Sequence, residues 1–389
     1  MASRFNLKLI TDNPAVVLAT LTIMVVVIFL LVNRLVKRFS EEQLALGRKM
    51  YAEAQAAMAS GKADRGIEDF RAALSYDPDN YQYQLSLARA LRDTGRTAEA
   101  EAYLLSLWEH SPQDGAVNLA LGRLAARERQ LDKTLQYYHN AIYGVWTSNA
   151  DNDRLNAWFE LVQVLLQLGA KQQAEAELIS LAAELPHRPD LELRVAELFT
   201  QIPDFDHALA EYRRVLQLDR GNVTALTGAG EAAFSLGRYR TADHYLQSAA
   251  KANPRDKQAA HLLETSNMVL LADPYAPQIY GQKRLGRIRA AFEIGGERLQ
   301  ACAQSKGVDL KSASTTTEPQ NDLQSLHQSW LDQKRRMTRG RNGWTDEMQD
   351  QIMNLVFRIE QQTAQECGPP IGANQALLIL SQNPNGVER

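Results

Sequence analysis

The sequence predicts an all-α protein in three parts: a single N-terminal membrane-spanning helix, an α-solenoid superhelix, and a small C-terminal helical module. Three observations carry this reading. An uncharged apolar run of 18 residues fills 15–32, and small and large residues recur with a 34-residue period over 47–256. Beyond residue 273 apolar residues return at helical 3–4 spacing, but that period is gone.

The first part rests on length. At about 1.5 Å per residue the run Ala15–Val32 covers about 27 Å, close to the hydrocarbon thickness of a bilayer. A buried core helix would carry a polar face, and this run has none. A signal peptide would have a shorter apolar core followed by small residues. Here Asn33-Arg34-Leu35-Val36-Lys37-Arg38 follows, so 15–32 is expected to stay as a single-pass anchor. Residues 1–14 then form a short tail and 33–46 a basic juxtamembrane linker. Arg34, Lys37 and Arg38 outnumber Arg4 and Lys8, which favours a cytoplasmic body by the positive-inside rule, with a periplasmic body as the alternative.

The solenoid rests on Gly61, Gly95, Gly169 and Gly237, each at position 15 of a 34-residue frame. The frames are 47–80, 81–114, 115–148, 155–188, 189–222 and 223–256, interrupted once by Asn149–Arg154. Position 20 reads Gly66, Ala100, Thr134, Ala174, Ala208 and Ala242, all small. Position 24 reads Phe70, Leu104, Tyr138, Leu178, Tyr212 and Leu246, all large. Small residues let two antiparallel helices approach, and a glycine permits the turn between them. Proline at position 32, as in Pro78, Pro112, Pro186 and Pro254, stops the second helix. Repeat 3 departs from the pattern, with Arg129 for the turn glycine and Trp146 for the proline, and repeat 5 has Pro203 at the turn. Residues 257–272 read as the capping helix that a solenoid needs.

This pattern resembles the tetratricopeptide repeat. The resemblance implies a scaffold that binds protein or peptide partners on a concave face lined by the first helix of each repeat. The whole layout resembles anchored bacterial tetratricopeptide proteins of envelope assembly, which implies the bacterial inner membrane. Carried onto this sequence, the face has an apolar stripe through Tyr51, Leu85, Leu119, Phe159 and Leu193. Arg48, Arg89, Arg92, Arg123 and Arg127 make its first three repeats basic. Such a face could anchor apolar side chains and the acidic end of a ligand. The alternative is that the stripe is packing and the arginines are a solvated surface.

The module at 273–389 holds helices at Gln278–Ser305, Leu323–Arg339, from a Thr345 cap through Met348 to Ile359, and at Gln375–Ser381, with a Ser/Thr-rich linker at Lys311–Asp322. Lys334, Arg335, Arg336, Arg339 and Arg341 form a basic cluster, read either as an anion site or as a solvated helix end. On the cytoplasmic assignment Cys302 and Cys367 are expected as free thiols, with a bridge as the alternative.

A net charge of −3, from 43 basic and 46 acidic residues, disfavours nucleic acid as a partner. The seven histidines form no i,i+4 pair, and no phosphate loop, dinucleotide fingerprint or nucleophile elbow occurs. No catalytic residue, metal, cofactor or small-molecule substrate is therefore expected. The sequence reads as a non-catalytic adaptor held in the membrane through 15–32. The alternative is a fixed structural subunit of a larger membrane complex.

Overall fold

A computed structural model describes residues 14–147, 149–310, 322–339 and 344–382. The N-terminal tail, the linker up to residue 321, Arg341 and the polar stretch 383–389 lie outside the described residues. Among the described residues there are 17 helices and no named strand. The chain divides into two compact units, Met1–Glu177 and Leu178–Arg389.

The first unit begins with α1 (Pro14–Ala59), one helix of 46 residues. It contains the apolar run, the expected linker and the first helix of repeat 1. Residues 33–46 are thus helical throughout, which corrects the linker reading. They hold no glycine or proline, and nothing else in the stretch interrupts the i→i−4 bonds. None of the most apolar 18-residue window of α1 is buried by protein. Its two polar side chains satisfy themselves: Thr20 Oγ1 donates to the Val17 carbonyl at 2.9 Å and Thr22 Oγ1 to that of Leu18 at 2.8 Å. That is the arrangement a hydrocarbon environment demands.

The helix pairs follow in the expected order: α2 (Ala63–Tyr76), α3 (Tyr81–Asp93), α4 (Thr97–His110), α5 (Gly115–Arg127), α6 (Leu131–Ile142), α7 (Ala150–Leu168) and α8 (Lys171–Glu184), in which the first unit ends. Small residues sit where the helices of a pair cross. Ala54, Ala88, Ala100 and Thr134 are fully buried, and Gly122 lies under the Tyr138 ring. Every turn within a repeat closes with the same backbone bond, from Lys62 N–H to Ala57, Arg96 to Leu91, Gln130 to Ala125 and Ala170 to Leu165. This is the Schellman geometry, which needs one left-handed residue. Gly61, Gly95 and Gly169 supply it at φ 74°, 83° and 79°, while repeat 3 forces Arg129 to φ 58°.

A side chain in that region costs about 1–2 kcal/mol, partly offset by the entropy a glycine loses. Arg129→Gly is therefore expected to stabilise the first unit by roughly 0.5–1 kcal/mol. A higher urea midpoint at unchanged slope would show it; a lower midpoint would mean the arginine side chain contributes more than its backbone costs.

The second unit continues with α9 (Pro189–Gln201), α10 (Phe205–Leu218), α11 (Val223–Ser235), α12 (Tyr239–Ala252) and the cap α13 (Lys257–Ala272). The same turn bond recurs from Asp204 to Phe199 and from Arg238 to Ala233. Four further helices follow: α14 (Gln282–Ser305), α15 (Asp322–Arg339), α16 (Asp346–Cys367) and α17 (Gly372–Gln382). They do not form a bundle apart from the repeats. Tyr239 of the last repeat and Val269 of the cap share one buried cluster with Ile288, Phe292, Trp330, Val356 and Leu377. Trp330 stacks on Phe292 at 5.2 Å between centroids and donates Nε1–H to the Phe292 carbonyl at 3.1 Å. Gly296 leaves the space its indole fills. These helices thus bury the open apolar end that a solenoid would otherwise expose.

The cysteines are a correction. Cys302 and Cys367 form a disulfide, with Cα atoms 5.7 Å apart, where free thiols were expected. The reason is tertiary. α14 and α16 pack against each other, and their C-terminal ends meet, with Arg298 Nη2 donating to the Gly368 carbonyl at 2.7 Å.

In the basic cluster, Lys334 pairs with Glu293 at 3.3 Å and lies 4.4 Å from the Trp330 ring centroid, while Arg335 pairs with Asp332. Those two charges are already engaged within the unit.

Candidate partner-binding recess

The recess lies in the first unit, between repeats 2 and 3. The first turns of α3 and α5 are fixed by side-chain caps, Asn80 accepting from Tyr83 N–H at 3.2 Å and Asp114 from Val117 N–H at 3.0 Å. The connection after α6 folds back over them. Val145 N–H donates to Gln113 at 2.7 Å, and Gly115 N–H donates to Val145 at 2.9 Å. Trp146, which replaces the expected proline, donates Nε1–H to the Ala141 carbonyl at 2.9 Å and lays its indole against Gly115. Any side chain at Gly115 would collide with that ring, so the glycine is set by close approach. The inserted residues lengthen α7, which begins at Ala150 rather than at the start of its frame.

The result is a recess of about 360 Å³ lined by Tyr81, Gln82, Leu85, Arg89, Leu119, Arg123, Trp146, Thr147 and Asp153. Its two arginines differ. Arg123 donates from Nε and Nη2 to the two Glu160 oxygens, each at 2.6 Å, and Tyr138 Oη donates to the same carboxylate at 2.8 Å. The Glu160 hydrogen bond holds the Arg123 pKa above its ordinary value, although burial opposes it. Burial is the largest influence on Glu160 and pushes its pKa up, but Arg123 and Tyr138 together outweigh it and hold the group below the usual carboxylate range. Arg123 is therefore neutralised in place. Arg89 forms no ion pair among the described residues, and Asp153 is the carboxylate that shares the recess lining with it. Burial, with the nearby Arg123 charge, pulls its pKa down. The side chain still reaches solvent, so it is a crowded cation open to an anionic ligand.

The other candidate residues fall in several places. Tyr51 is half-buried, stacked on Tyr83 at 4.8 Å, and its hydroxyl is shared with Ser86 at 3.0 Å. Arg48 is exposed on α1. Arg92 pairs with Asp93 at 2.7 Å, and Arg127 donates to the Arg92 carbonyl, which ties both to the turn ends of α3 and α5. Arg127 also lines a second recess of about 300 Å³ with Tyr138, Glu160 and Val164. Phe159 is fully buried and forms part of the core instead of a contact face. Leu193 is half-buried on α9 in the second unit.

Sequence reasoning missed Tyr81, Gln82, Trp146 and Glu160. Trp146 had been read as a degenerate position, whereas a bulky aromatic replacing a helix stop beside an insertion is a signal for a built wall.

Helix pairs joined by one recurrent turn, with small residues at each crossing, define a helical-repeat solenoid. The Tetratricopeptide repeat family matches at residues 57–124 and 204–265. The chain carries tetratricopeptide repeats. It is similar to cellulose synthase operon protein C of Salmonella typhimurium, 27% identical over 187 residues, which are 47% of this chain and 16% of that protein. The putative cellulose synthase operon protein C of Escherichia coli O157:H7 is 24% identical over 295 residues, 70% of this chain and 25% of that one. The chain thus spans a quarter or less of the length of these relatives. Among solved structures, YrrB, described as a TPR protein with an unusual peptide-binding site, overlays with a TM-score of 0.37 at 16% identity, covering 50% of this chain and 97% of that one. Yeast Tom70 overlays with a TM-score of 0.37 at 15% identity, covering 78% and 56%.

Proposed function

We propose that this protein is a non-catalytic, membrane-anchored scaffold that binds a protein partner through the recess between repeats 2 and 3. The observation that carries this is Arg89: an exposed guanidinium that lines one recess with Leu85, Leu119 and Trp146 and forms no ion pair among the described residues. An apolar side chain would fill the slot and an acidic group would meet the cation. The repeat fold, in general a scaffold for protein partners, supports the same reading.

The anchor is α1, and the body is outside the cytosol. The Cys302–Cys367 bridge supports that side, because disulfides persist in oxidising compartments and are rare in the cytosol. It outweighs the small excess of flanking basic residues that favoured the cytoplasm. A second reading, a fixed subunit of a larger membrane complex, draws on the relatives' names, which tie them to a cellulose synthase operon.

The test is Arg89→Glu in the full chain. The reversed charge would attract Arg123 where Arg89 repels it, so folding is expected to be unchanged. Partner capture from detergent-solubilised membranes is expected to fall at least tenfold, as lost charge-assisted bonds imply. Unchanged capture would refute the recess. Arg123→Glu is the wrong variant for this purpose, because it would set two carboxylates face to face with Glu160 and disturb the fold itself.

A further inference from the structure

We infer that α16 and α17 form a releasable cap on the last helix of the repeat array, held shut by the Cys302–Cys367 bridge against the buried carboxylate of Glu360. Reduction and ionisation are then two inputs to one opening. This is independent of the recess in the first unit.

The groups involved lie along one contact. Arg298 and Cys302 are one turn apart on α14, and Glu360 and Cys367 are two turns apart on one face of α16. That face is covered: Gly295 of α14 lies against Val356 and Ile359, and Glu360 follows Val356 by one turn. Glu360 is fully buried, and neither of its oxygens has a hydrogen-bond partner. Arg298 is the cation at hand, but it is committed elsewhere. Its Nη2 donates to the Gly368 carbonyl beside Cys367, and its buried Nε bonds nothing.

No other charge takes its place. α17 carries no titratable residue. On α15, Asp322 bonds Gln362, His327 stacks on Trp330, and Lys334 and Arg335 pair with Glu293 and Asp332. Arg336, and Arg358 on α16 itself, are exposed. Burial therefore pushes the Glu360 pKa up, with Arg298 only partly opposing it.

A carboxylate with neither donor nor water keeps its proton while the helices are packed, and releases it when α16 lifts into solvent. Rising pH thus favours the open form. The bridge opposes lifting, because it ties the C-terminal ends of α14 and α16 and leaves an opened α16 little freedom to gain. Linkage makes the two inputs reciprocal. A cut bridge lets Glu360 ionise at lower pH, and an ionised Glu360 makes the bridge easier to reduce.

Cys302 is buried and Cys367 half-buried, so reduction starts at Cys367. One thiolate of a dithiol reductant attacks its Sγ and displaces Cys302 as a thiolate, which takes up a proton. The second thiol of the reductant then closes the reductant's own disulfide and releases Cys367 as a thiol. Opening carries α17 with α16. α17 packs on both α16 and α13, and its Leu377 shares a buried cluster with Val269 of α13, so its departure uncovers the end of the array.

The test is hydrogen–deuterium exchange on the full chain in detergent, oxidised or reduced beforehand with dithiothreitol and kept anaerobic. The unaltered protein is compared with Glu360→Gln near pH 4.5 and near pH 8; comparison at one pH cancels the intrinsic pH dependence of exchange. In the reduced state near pH 8, peptides from α16 and α17 are expected to exchange at least about tenfold faster in the unaltered protein than in Glu360→Gln. Near pH 4.5 the two should agree, and the oxidised chains should stay protected at both pH values. Equal exchange of the two reduced proteins near pH 8 overturns the coupling. Oxidised protein opening as fast as reduced protein near pH 8, a comparison that needs no variant, overturns the bridge as the latch. Acceleration spread equally over α9 to α12 overturns the cap, because the whole unit would then be unfolding.

Discussion

Cys302→Ser in the full chain is expected to destabilise the second unit by about 4 kcal/mol, the chain-entropy value for a bridge that closes 65 residues. The bridge joins the C-terminal ends of α14 and α16, so its loop encloses all of α15 and the linker before it. Without it, the Trp330–Phe292 stack must be held by packing and by the Trp330 hydrogen bond to the Phe292 carbonyl. Urea unfolding followed by Trp330 fluorescence measures this loss, and dithiothreitol on the unaltered chain should reproduce it. A change below about 1 kcal/mol would mean the helices pack as firmly unbridged.

The second large effect is a pH dependence from Glu360. It is fully buried on α16, and neither carboxylate oxygen has a hydrogen-bond partner. Burial pushes its pKa up to about 8, and Arg298 on α14 only partly opposes this. The sign follows from proton counting. Between the unfolded value of 4.5 and about 8 the folded chain holds a proton that the unfolded chain has released. Stability is therefore full below the unfolded value and falls as pH rises toward the folded one. At 1.36 kcal/mol per unit the ceiling is roughly 5 kcal/mol. Glu360→Gln removes the titration, so its stability should match the parent near pH 4.5 and exceed it by several kcal/mol near pH 8. Parallel pH profiles for the two chains would mean that Glu360 is solvated or paired in solution.

The repeats were legible because their requirement is local: a small residue at each crossing and one left-handed turn residue recur in the chain as letters. The anchor was legible for the same reason. Helix continuity through 33–46 was there to be read as the lack of any breaker, but the basic residues suggested a linker. The recess was half legible. Leu85, Arg89, Leu119 and Arg123 follow from frame positions, but Trp146 and Glu160 sit where the insertion breaks the frame. Phe159 obeys the apolar stripe and yet is buried, because position alone does not distinguish a contact face from core. The disulfide depends on which helix ends meet, and no spacing in the chain encodes that. Glu360 could have been flagged, since it extends the i,i+4 series of Ile352 and Val356 on the buried side of α16.

Hydrogen–deuterium exchange on the protein in its own membranes, compared with the detergent-purified chain, tests whether the recess holds a partner. Slowed exchange is expected in peptides covering 81–89, 115–123 and 145–153 when partners are present, with the turns at Gly95 and Arg129 unchanged. Protection confined to those turns or to the second unit, with the recess peptides unchanged, would contradict the recess reading.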